Sequence, residues 1–82
     1  MDVILSKDAQ KQYVPLPKTQ QTKIIKKLTR LKENPNEGKK LKGELDGIYS
    51  LRVWPCRILY EINKNKKRAE VHKIAHRQGV YR

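Results

Sequence analysis

In 82 residues the chain sets twenty Lys and Arg against eight Asp and Glu, a formal charge of +12 at pH 7. That length allows one domain, spanning 1–82, with a thin stability margin, and the charge calls for a polyanion or an acidic protein as partner. The single cysteine, Cys56, excludes an internal disulfide and argues against a structural zinc site. No run approaches the roughly 20 apolar residues of a membrane span, and charge enters too early for a secretion signal, so the expected setting is the reducing cytoplasm, with no membrane partner.

Val3, Ile4 and Leu5 predict a strand over 2–5, stopped by Ser6, a capping residue for a helix with Asp8 in its first turn. Ala9, Tyr13 and Leu16 keep helical spacing until Pro15 and Pro17 interrupt it. A second helix is predicted from Lys18 to about Glu33, with Ile24, Ile25, Leu28 and Leu31 as its packed stripe and Lys23, Lys26, Lys27, Arg30 and Lys32 in solvent. Asn34-Pro35-Asn36-Glu37-Gly38 ends it, and residues 39–47 form a lysine-rich link. Strands are predicted over 48–54, over 57–62 after a Pro55-Cys56 turn, and from about Arg68 to His76 or Arg77. The order is strand, two helices, three strands. That is an α+β fold, a helical hairpin packed on a small, mostly antiparallel sheet.

Alternation assigns the faces. Tyr49, Leu51 and Val53 oppose Ser50, Arg52 and Trp54; Ile58, Tyr60 and Ile62 oppose Arg57, Leu59 and Glu61. In the last strand His72, Ile74 and His76 oppose Val71, Lys73, Ala75 and Arg77. Arg52, Arg57 and Arg77 then converge on one face if register allows, as a phosphate-handling site would require. Tyr49, Tyr60 and His72 read as packing residues, and Cys56 as incidental.

The stretch from Lys40-Leu41-Lys42-Gly43 through Tyr49-Ser50-Leu51-Arg52, followed by Arg57-Ile58-Leu59-Tyr60, by His72-Lys73-Ile74-Ala75-His76-Arg77 and by Tyr81, resembles the RelE/ParE superfamily of toxins, closest to the RelE branch. The resemblance spans nearly the whole chain and is strongest from Lys40 to Tyr81. It implies the fold just derived, RelE-like β-α-α-β-β-β. It also implies a type II toxin that enters the ribosomal A site and cuts messenger RNA without metal or other cofactor. An acidic cognate antitoxin is implied as partner in a hetero-oligomer.

In such cleavage the ribose 2′-hydroxyl attacks the adjacent phosphorus. A proton must leave that hydroxyl, a phosphorane charge must be neutralised, and the leaving oxygen must be protonated. The resemblance makes Arg57 and Arg77 the phosphate and transition-state arginines and Tyr81 the terminal catalytic or base-stacking tyrosine. Arg52 takes a basic strand position, with Lys40, Lys42 and Lys73 as further substrate-binding residues. The chain departs from the pattern at Ser50, where the best-studied branch carries a catalytic lysine, and it has lysines at 39, 40 and 42 where other branches use a glutamate. His76 is the candidate proton-transfer group in their place. Two other classes stand beside this one: a ParE-like DNA gyrase poison, and a non-enzymatic basic module that binds RNA or protein.

Overall fold

The computed structural model describes residues 1–43 and 47–76. In chain order the elements are β1 (Asp2–Leu5), α1 (Lys7–Tyr13), α2 (Lys18–Glu33), β2 (Lys39–Lys40), β3 (Ile48–Val53), β4 (Cys56–Asn63) and β5 (Arg68–His76). They form one five-stranded sheet in the order β1-β5-β4-β3-β2. Strand β1 runs parallel to β5, and the other pairings are antiparallel. The α+β architecture anticipated above is the one observed, with the two-residue β2 as an addition that alternation could not reveal. Cys56 opens β4 instead of completing a turn, and Trp54 lies beyond the end of β3.

Helix α1 starts where the Ser6 hydroxyl accepts from the Ala9 N–H at 3.0 Å. The same hydroxyl donates to the His72 carbonyl at 2.9 Å, and the Ser6 N–H donates to the Val71 carbonyl. The cap therefore also fastens the helix to β5 just past the end of β1. Gln12 continues this, its Oε1 accepting from the Ile74 N–H at 2.8 Å. At the opposite side the buried Gln20 donates from Nε2 to the Val53 carbonyl at 3.1 Å. Two glutamines thus satisfy strand groups that the short flanking strands leave without a neighbour.

The core joins Ile24, Leu28 and Leu31 of α2 to Leu51, Val53, Cys56, Ile58, Tyr60 and Val71 of the sheet. With Gln20, the buried α2 residues recur at intervals of four, four and three, which leaves Ile25 off the stripe and 48% exposed. Tyr60 is fully buried and stacks on Tyr49 with ring centroids 5.2 Å apart. Its hydroxyl donates to the Pro35 carbonyl at 2.7 Å and accepts from the Gly38 N–H at 2.9 Å, pinning the α2–β2 loop to the sheet.

One face assignment needs correction. An irregularity in the β4–β5 ladder pairs Leu59 with Lys73 but Tyr60 with Val71, so His72 is an extra residue on β5. Val71 and Ile74 therefore both turn into the core, while His72 and Lys73 are both exposed. Simple alternation had grouped His72 with Ile74 and His76, and a bulge is invisible to it.

Candidate nucleic-acid interface

Residues opposite one another in a ladder share a face. Because Leu51, Val53, Ile58 and Tyr60 face the helices, Arg52 and Arg57 stand on the other side of the sheet, and they are Cα partners across β3 and β4. Both are exposed. The next row on that face runs Lys39, Ser50, Leu59, Lys73 across β2, β3, β4 and β5. Two arginines and two lysines therefore surround one serine and one leucine. Like charges set directly opposite in a sheet are destabilising, so the Arg52–Arg57 pair is an unfavourable arrangement for the protein alone and a favourable one for an anion.

The cationic end continues round the edge of the sheet, where β2 is too short to cover β3. A groove of about 530 Å³ there is lined by Arg52, Arg57, Ser50 and Lys39, by Lys27 of α2 and by Glu37 of the loop between α2 and β2. One Glu37 oxygen receives the Arg30 guanidinium at 2.6 Å, and the other is buried with no hydrogen-bond partner among the described residues. Lys27 and Lys39 were not singled out from sequence. Lys27 precedes buried Leu28 on the flank of the α2 stripe, a position that points along the sheet edge, whereas the pairing of Lys39 with Ser50 has no sequence signal.

The other end of the bare face is different. Glu61 and Glu70 are Cα partners, and each carboxylate has a side-chain partner: Glu70 receives Arg68 at 2.8 Å, and Glu61 Oε1 lies 2.9 Å from His72 Nε2. The Arg68 hydrogen bond holds the Glu70 carboxyl below its ordinary range. On the helix side, burial pushes the Tyr60 phenol up, partly offset by the Gly38 N–H, and burial likewise raises the Cys56 thiol, partly offset by Gln20. Those two groups are structural.

The remaining sequence candidates are dispersed. Lys40 lines a separate groove with Tyr49 and Lys64, and Lys42 is exposed on the link. His76 is the Cα partner of Cys56, which places it on the helix side of the sheet, in a groove of about 540 Å³ with Lys11, Leu16 and Ile74. Lys73 borders that groove as well. His72, read as a packing residue, is exposed and hydrogen-bonded to Glu61. Arg77 and Tyr81 lie outside the described residues. Among the described residues no group of three His, Cys, Asp or Glu lies together as a metal site would require, and no helix is long and apolar enough to cross a membrane.

Comparison with known families matches residues 3–81 to the ParE toxin of type II toxin-antitoxin systems, parDE. Comparison with curated proteins gave no match. Among solved structures, the chain is 26% identical to a chain of the RelBE2 toxin-antitoxin complex from Mycobacterium tuberculosis, with a TM-score of 0.85 over 93% of this chain and 96% of that one. It is 21% identical to the YoeB/ParE toxin from Agrobacterium tumefaciens, with a TM-score of 0.81 over 93% and 98%. It is 24% identical to a chain of the archaeal RelE-RelB complex from Pyrococcus horikoshii, with a TM-score of 0.77 over 93% of each chain.

Proposed function

The chain belongs to the ParE toxin family of type II toxin-antitoxin systems, within the RelE/ParE superfamily, and from that membership we propose that it arrests translation by cutting messenger RNA in the ribosomal A site. The observation that carries this reading is the Arg52–Arg57 pair on the bare sheet face, flanked by Lys39 and Lys27 in one groove. A trigonal-bipyramidal phosphorane carries more negative charge on its equatorial oxygens than the phosphodiester it came from. A guanidinium that engages two of those oxygens binds the transition state better than the ground state. Arg57, joined by Arg77 and Tyr81 from the C-terminal segment, supplies that stabilisation and the stacking that holds the cleaved nucleotide. Arg52, Lys27 and Lys39 hold flanking phosphates, and Lys40, Lys42 and Lys73 extend the basic surface toward ribosomal and messenger RNA. Messenger RNA and ribosome place the activity in the cytoplasm.

An acidic antitoxin is the second partner. Past the end of β1 the edge of β5 borders the groove that holds His76, and its mix of Leu16 and Ile74 with Lys11 and Lys73 suits an extended segment carrying both apolar and acidic side chains. In this reading His76 serves the antitoxin contact or the RNA, and its groove is separate from that of Arg57.

A ParE-like gyrase poison is the rival, favoured by the family match itself. The two readings separate in a pair of assays on the purified protein. Inhibition of cell-free translation with gyrase supercoiling left intact supports the nuclease. Loss of supercoiling, with translation untouched, supports the poison.

A further inference from the structure

Glu37, the carboxylate lining the adjoining groove, is tied to Arg30. With serine at position 50, the described rows at the cationic end of the bare face have only arginines and lysines as charged members, so those rows hold no group suited to remove a proton near neutral pH. The bulge in β5 supplies one nearby. Glu61 follows Arg57 and Leu59 on the same face of β4, and His72 follows Glu70 on the same face of β5. The His72 ring meets Glu61 there, Nε2 to Oε1 at 2.9 Å, with both side chains about half exposed at 46% and 49%. A carboxylate can only accept, so Nε2–H donates to Glu61, and in the neutral ring Nδ1 is then the nitrogen with a lone pair to accept a proton. Rows on one side of a strand repeat at about 7 Å, and His72 sits between the Leu59 and Glu61 rows, so an extended Arg57 side chain and the imidazole can address one phosphodiester lying over Leu59. Arg68 neutralises Glu70 close by, so this end of the face does not repel the RNA as two bare carboxylates would.

We propose that His72 is the general base of this toxin and that Glu61 positions it. The proposal rests on the nuclease reading above. The 2′-O–H proton passes to His72 Nδ1 as O2′ forms its bond to phosphorus, and the P–O5′ bond breaks with the electron pair on O5′. Water protonates O5′, and the hydroxide so formed takes the proton back from the imidazolium. The products are a 2′,3′-cyclic phosphate and a 5′-hydroxyl. Glu61 acts through the imidazole, fixing its tautomer and offsetting its charge. The other charged groups around the ring are Glu70, Arg68 and Lys73 on β5, Asp2 on β1 and Arg57 on β4; α1 reaches this residue through the Ser6 hydroxyl on its backbone carbonyl.

The test is single-turnover cleavage of messenger RNA on ribosomes by wild type, His72→Gln, Glu61→Gln and Arg57→Ala, each across pH 5 to 8. His72→Gln should lose about 100-fold or more in rate with its half-saturating concentration nearly kept, and should lose the rise in rate with pH that wild type shows. Glu61→Gln should fall between the two. His72→Gln cutting at the wild-type rate while Arg57→Ala fails overturns the proposal and leaves the nuclease intact; wild type that cuts nothing overturns both. Nitrogen-15 spectra of the wild-type imidazole serve independently of any variant: the Nε2–H tautomer is expected, and Nδ1–H would refute the assignment.

Discussion

Arg57→Ala separates a side chain kept for chemistry from one kept for the fold. Arg57 and Arg52 are exposed Cα partners, and Arg57 has no salt bridge among the described residues. Removing one of two like charges across a strand pair returns about 0.2 to 1 kcal/mol, and alanine's poor strand propensity takes back a similar amount. The net change in stability should lie within about 0.5 kcal/mol, a shift in urea midpoint of no more than about 0.5 M. A donor aimed at transition-state charge is worth about 3 to 4 kcal/mol, so the cleavage rate should fall about 100- to 1000-fold. Arg57→Lys keeps the charge but not the planar two-pronged donor and should still lose more than about tenfold. The assay is single-turnover cleavage on ribosomes beside urea unfolding of the same preparations. A rate loss below tenfold, or an unfolding penalty above about 2 kcal/mol, would refute the reasoning.

Three further outcomes follow from the same structure. Tyr60→Phe strands the Pro35 carbonyl and the Gly38 N–H and should cost about 1 to 3 kcal/mol in urea unfolding; Gly38→Ala, whose Cβ would stand 2.7 Å from the Tyr60 hydroxyl oxygen, should destabilise comparably. Ser6→Ala removes the α1 cap and its bond to the His72 carbonyl and should cost about 1 to 2 kcal/mol in the same assay. Arg68 lowers the folded pKa of Glu70, so that pairing stabilises the fold fully above the ordinary carboxylate range and progressively less as pH falls through the lowered value. The stability gap between wild type and Arg68→Gln should therefore shrink on acidification from pH 7 to pH 3, and a gap that stays constant would contradict the pairing.

Most of the scaffold was legible because it rests on local rules. The capping serine, the proline break and the Asn34-Pro35 stop bound both helices at the residues observed, and alternation placed Arg52 and Arg57 opposite Leu51 and Ile58. What was not legible depends on pairing between distant segments. Two residues of β2 carry no periodic signal, yet they bring Lys39 beside Ser50. The extra residue at His72 leaves Lys73, Ala75 and His76 on the faces that alternation gave them, but turns Val71 into the core and delivers His72 to the bare face. The buried polar contacts of Gln12 and Gln20 likewise serve strand carbonyls and amides whose neighbours are set by strand length. Ile25 was misplaced for a simpler reason: it adjoins Ile24 in sequence but lies about 100° round the helix from it.

The most direct test is primer extension on one defined messenger RNA, with purified protein added to translating ribosomes and, in parallel, to the naked transcript. The account predicts cuts within codons in the A site on ribosomes and none at matching concentration on naked RNA. An intact message in both reactions, from a preparation that its antitoxin still binds, would contradict it.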